Sequence, residues 1–157
     1  MTRFEDAYGD GNFTGLGLVS FERSYSPGEG AALVTAEGSL ALGAANRLDL
    51  QLGGTALGTG YDHLTVANGL SFGGDLFVTA IGGFMPTSGQ SFDLFDFGTA
   101  TGTFRSVALP SLDGGLTWDT SALYTTGVIR TQAVPEPATL AALGLGALAL
   151  LRRRRRA

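Results

Sequence analysis

Along the first 134 residues apolar positions alternate with polar ones in short runs, and glycine closes most of them. Leu48, Leu50 and Leu52 fall on one face with Asp49 and Gln51 between them, the period of two that marks a half-buried strand. Leu40 and Leu42, Leu64 and Val66, Leu76 and Val78, and Phe92 and Leu94 repeat the pattern. The runs break at Gly53-Gly54, Gly73-Gly74, Gly82-Gly83 and Gly114-Gly115, where a residue without Cβ can take the positive φ of a tight turn. Nothing ahead of the C-terminal tail sustains helical spacing. Strands of roughly three to six residues with such breaks predict an all-β body: a sandwich, a barrel or a solenoid. No strict sequence repeat accompanies them.

The pattern changes after Pro137. Ala138 to Leu151 are alanine, leucine and glycine with the single threonine Thr139. A buried helix of a soluble domain keeps a polar face, and this stretch has none. Its 14 residues make a helix of about 21 Å against a hydrocarbon core of about 30 Å. So short a span suits a processed signal better than a lasting anchor. Arg152, Arg153, Arg154, Arg155 and Arg156 follow directly. They stop translocation, hold the C-terminus in the cytoplasm and leave the body outside.

Charge sharpens the division. Residues 1–134 hold five arginines against 13 carboxylates, a net charge of −8, whereas residues 135–157 hold five arginines against Glu136 alone, a net +4. An acidic body with scattered arginines lacks the clustered basic face that nucleic acid requires. The chain has no cysteine, which excludes disulfides and thiolate metal sites.

Val134-Pro135-Glu136-Pro137-Ala138-Thr139-Leu140, then the Ala/Leu/Gly run, then the arginines, resembles a PEP-CTERM sorting signal. The resemblance implies export in a Gram-negative-type bacterium, transient anchoring in the inner membrane, and recognition by an exosortase. That membrane protease would remove the tail near Pro135, Glu136 and Pro137 and pass the body to the surface. The prolines have a physical use of their own, because they keep the backbone extended ahead of the helix, as a protease cleft requires.

Residues from about Tyr25 to Arg130 carry a second resemblance, to the C-terminal region of long right-handed β-helix proteins of the autotransporter-passenger type. The matching stretches are Tyr25-Ser26-Pro27-Gly28, Leu48 to Gly54, Tyr61 to Val66, Gly83-Phe84-Met85-Pro86, Gly102-Thr103-Phe104 and Leu116 to Ser121. It implies the last coils of a right-handed parallel β-solenoid and a capping β unit, with Trp118, Phe92, Phe95, Phe97 and Phe104 as cap core. A solenoid coil buries its apolar face only against its neighbours. Met1 to Asp6 also lacks the basic and apolar run of a secretory leader. The expectation is therefore a C-terminal piece of a longer protein, with Phe13 to Phe21 as an open edge. The layout expected is a body over residues 1–131, a linker over 132–137, a transmembrane helix over 138–151 and a cytoplasmic tail over 152–157.

Chemistry is sparse. Gly69-Leu70-Ser71-Phe72-Gly73 matches the Gly-x-Ser-x-Gly nucleophile motif, but the chain's single histidine, His63, precedes the serine and no helix follows. One histidine makes no histidine-rich metal site, and in a strand beside Leu64 it reads as partly exposed. Asp10, Asn12, Thr14 and Gly15 begin like a calcium loop, yet Phe21 stands where the bidentate acid belongs. Asp93 and Asp96, three apart on a strand, fall on opposite faces, which favours structural roles over an acid/base pair for glycoside hydrolysis. The expectation is no catalytic residue, no metal and no cofactor. The function expected is a structural or adhesive protein of the cell surface or biofilm matrix, with exopolysaccharide as a candidate ligand. The rivals are a carbohydrate-binding or carbohydrate-acting β-helix whose groove lies in upstream coils, and an unprocessed single-pass membrane protein.

Overall fold

The alternating apolar residues of the sequence stack across strands in columns. Val19, Leu40, Leu70 and Ala100 are successive partners in one column, and Tyr25, Leu48, Leu76 and Val107 in a second. Phe13, Ala36, Val66 and Phe97 form a third. All these pairings are parallel. The computed structural model in which they occur describes residues 1–134.

In chain order the elements are β1 (Thr2–Tyr8), β2 (Leu18–Ser26), β3 (Leu33–Ala36), β4 (Ser39–Leu42), β5 (Arg47–Leu52), β6 (His63–Phe72) and β7 (Asp75–Ala80). They continue with β8 (Ser91–Asp93), β9 (Phe95–Gly102), β10 (Ser106–Ala108), β11 (Leu116–Asp119), α1 (Leu123–Thr126) and β12 (Val128–Ala133). Nine strands form the parallel sheet; β8, β12 and β11 form a separate antiparallel one. The body is all-β, as the alternation predicts, and its larger sheet is parallel.

Every column partner is one passage of the chain away. The offset is 30 residues from Leu40 to Leu70 and 31 from Leu76 to Val107, but only 17 from Thr2 to Val19. Long strands serve two columns: β6 pairs with β3 through His63–Val66 and with β4 through Leu70 and Ser71. Between those halves its register against β9 shifts, at Val66 to Gly69, which bends the strand from one face to the next.

The expected strand pairs are core. Leu48, Leu50 and Leu52 have no exposed surface, and Leu40, Leu42, Leu64, Val66, Leu76, Val78, Phe92 and Leu94 are all buried. Aromatic rings fill both ends of this core. Phe21 stacks on Tyr25 with centroids 4.1 Å apart and planes within 2°, while Phe4 and Phe13 pack on Phe21. At the other end Phe72 meets Phe95, Phe104 and Tyr124 at 5.1–5.3 Å.

Phe13 to Phe21 is not an open edge. β1 lies alongside β2 in parallel, and Phe21 is fully buried. The sequence hides β1, because its run Thr2-Arg3-Phe4-Glu5-Asp6-Ala7-Tyr8 carries three charges and a register irregularity between Phe4 and Asp6.

The antiparallel sheet ends the described chain. Ile129 pairs with Phe92, Trp118 packs against Phe92 at 5.8 Å, and the Trp118 indole Nε1 donates to the Pro110 carbonyl at 2.9 Å. Phe92, Phe95 and Phe104 are buried, and Phe97 and Trp118 are partly buried against the core. The single turn of α1 stops at Gly127, whose φ of 74° only glycine adopts readily and whose Cα faces the Phe95 carbonyl. Among the described residues no helix is long and apolar enough to cross a membrane. The helix expected over 138–151 lies outside them, as does the arginine run.

Candidate functional site

β12 carries the chain toward the segment with the clearest functional signal. It sits in the middle of the antiparallel sheet, with β8 on one side and β11 on the other. Thr131, 2% exposed, is the last residue held from both sides. Its N–H donates to the Gln90 carbonyl at 2.9 Å, its carbonyl accepts from Gly89 N at 3.1 Å, and its Oγ1 accepts from Gln90 N at 3.0 Å. Beyond it only β11 pairs. Ala133 is opposite Leu116, and Val134 N donates to the Gly115 carbonyl at 2.8 Å. Gln132 and Ala133 are exposed and Val134 half so. The strand therefore runs into the range expected to be a linker. The alternation gives no warning of this, since Gln132 and Ala133 supply no buried apolar position.

Pro135 follows, and proline has no N–H to extend the ladder. Pro135, Glu136, Pro137 and Arg152–Arg156 all lie outside the described residues.

Residues 133–156 match the PEP-CTERM protein-sorting motif. The match covers the tail alone and begins on the last residue of β12. No curated protein matches the chain, and no solved structure does. The PEP-CTERM motif implies an exported protein that an exosortase, a membrane protein, recognises and processes. It also implies transit through a membrane to the cell surface or beyond.

The other candidate residues fall elsewhere. Ser71 pairs with Ala41 and Thr101 in the parallel sheet. His63, at the other end of β6, is 1% exposed rather than partly exposed. Its Nδ1 lies 2.7 Å from the Asp93 carbonyl, and its Nε2 lies 3.0 Å from Thr65 Oγ1 and 3.3 Å from Asp96 Oδ2. Both ring nitrogens are thus engaged away from Ser71.

Asp93 and Asp96 are not separated by strand parity. Asp93 ends β8 and Phe95 begins β9, so the period of two does not run across the join, and both residues contact His63, Asp93 through its backbone carbonyl and Asp96 through its carboxylate. Burial, and then the charge of Asp96, pushes the Asp93 carboxyl above its usual range.

Asn12 and the Gly15 turn, read as the start of a calcium loop, are tied to neighbouring strands. Asn12 Oδ1 accepts from Thr35 N at 2.8 Å, and Gly15 N donates to Glu37 Oε2 at 2.7 Å. Among the described residues no group of three or more His, Cys, Asp or Glu side chains is arranged to hold a metal ion.

Sequence reasoning missed Asp62. This carboxylate is fully buried, with Oδ1 accepting from Ala32 N at 2.7 Å and Oδ2 from Gln51 N at 2.8 Å. It joins the entry to β3 with β5. Burial pushes its carboxyl up to about 6, against the two N–H groups that pull it down. Its neighbour His63 drew attention instead, because an acid beside a strand start ordinarily reads as solvated.

Proposed function

We propose that this chain is a structural or adhesive protein of a bacterial surface or extracellular matrix, delivered there by its sorting motif and cut near Pro135–Pro137. Exopolysaccharide is its ligand class. The body is read as the final coils and cap of a right-handed β-solenoid. The observation that carries this reading is the set of three parallel columns with offsets settling at 30–31 residues, beside an antiparallel sheet that leads into the motif. Such a body presents stacked faces, and its buried polar networks at Asp62 and His63 bind backbone and strand neighbours. We assign no catalytic residue and no cofactor.

The test is made in a host that supplies the exosortase. The full chain, carrying an epitope within residues 1–134, should reach the surface and co-fractionate with matrix polysaccharide. Deleting the exosortase should trap it in the inner membrane. Surface delivery that ignores the exosortase overturns the reading.

Carbohydrate binding by the body has one feature in its favour. A concavity of about 380 Å³ is lined by Phe4, Tyr8, Phe13 and Tyr25 with Asp6 and Asn12, a mix of aromatic faces and polar groups suited to a sugar. Loss of polysaccharide retention on Tyr8→Ala would favour this reading over a purely structural role.

A further inference from the structure

We propose that the β11–β12 pairing governs when the sorting motif can be cut, so that opening the end of this hairpin is a step in processing. The proposal rests on the reading that cleavage falls near Pro135–Pro137. Three observations meet at one point. The matched motif begins at Ala133, which is still paired with Leu116. Val134 donates its N–H to the Gly115 carbonyl. Pro135, the first residue of the tripeptide, directly follows Val134 and has no N–H to donate to a strand partner.

A protease that takes an extended substrate pairs with its backbone on the side preceding the cut, in the manner of an added strand. Here that backbone is committed to β11 as far as Val134. On the opposite side the strand is held only as far as Thr131, by Gln90 and Gly89. Only Gln132 to Val134 are held from one side, and they are the residues that can peel away without disturbing the buried Thr131 and Ile129. Gly115, with φ of 90°, lies at the tight turn that starts β11, where Leu116 N donates to the Asp113 carbonyl at 3.2 Å. The hairpin end thus acts as a latch, and a folded body presents its motif more slowly than a tethered tail would.

Three full-length forms are compared by pulse–chase in a host with the exosortase. One is the native chain. The second carries a six-residue Gly-Ser spacer between Val134 and Pro135. The third carries Leu116→Cys with Ala133→Cys, a facing pair in a chain that has no other cysteine. The spacer moves the tripeptide clear of β11, so that it is reached with the Val134–Gly115 hydrogen bond still made; sparing the opening of that one bond corresponds to a rate gain of about five-fold, and the spacer form should be cut faster by that factor. The oxidised cysteine pair should be cut more slowly than native, and reductant should restore the rate. Equal rates in all three forms overturn the latch while leaving the sorting reading intact. A spacer form cut more slowly than native also overturns it, because the folded stub would then be part of what is recognised. No cleavage in any form, with export normal, sinks the sorting reading and the latch together.

Discussion

Asp62, just ahead of β6, ties together two other passages of the chain. It satisfies two backbone N–H groups from different passages of the chain, and a buried unsatisfied N–H costs about 1–3 kcal/mol. Asp62→Asn turns an amide N–H₂ toward one of those donors, so a loss of that size is expected at neutral pH. The pH dependence has a definite sign. The folded carboxyl titrates near 6 and the free one near 3.8, so the folded state holds its proton more tightly. The group's contribution is fully present below about pH 3.8 and is lost as pH rises through about 6. Thermal melts should therefore show the native chain's advantage over Asp62→Asn widening from pH 7 to pH 4; narrowing would contradict the assignment.

His63 and Ser71 separate just as clearly. Ser71→Ala should change stability by no more than about 0.5 kcal/mol, whereas His63→Ala, which strips partners from Thr65 and Asp93, should cost about 1–3 kcal/mol. Chemical denaturation of the two variants checks this, and equal effects would mean that the His63 contacts carry no weight. The sequence already set His63 outside a triad but read it as partly exposed, whereas it is buried. Its burial depends on Asp93 and Asp96, 30 and 33 residues on, which strand periodicity could not bring together across the break between β8 and β9.

At the scale of elements, the inward residues of β4, β5, β7 and the first half of β6, with Phe92 of β8, were legible in alternating apolar pairs, whereas Leu70 and Phe72 in the second half of β6 were not. Their parallel order was not. A column asks only for an apolar side chain of suitable size, so Val19, Leu40, Leu70 and Ala100 stack with no repeated motif. The turns that link the columns also differ in length, which erases any fixed period. β12 was not read from the sequence: Ile129 and Thr131 turn inward, but its final residues lean on β11 and leave no apolar mark. Ile129→Ala, in a fully buried position opposite Phe92, should cost about 2–5 kcal/mol and loosen the sheet that leads into the motif. Limited proteolysis should then cut first within residues 110–134. Preferential cutting in β1 instead would show that this sheet is not what limits the C-terminal end.

For the whole molecule, the division of charge and the sorting tail were readable from residues alone. A basic cluster beside an apolar stretch depends on nothing distant in the fold, and the matched motif over residues 133–156 bears that reading out. The body's arrangement needed the columns. Leu50→Asp, which places a carboxylate in a fully buried column position, should leave the tail's own signal unaltered while unfolding the body. The central claim is that the tail is a processed sorting signal. Mass spectrometry of the C-terminal peptide of the surface-exposed protein, recovered from a host with the exosortase, tests this most directly. The account predicts a mature chain ending within or next to Pro135–Pro137. A surface chain that still ends in Arg156-Ala157 would contradict it.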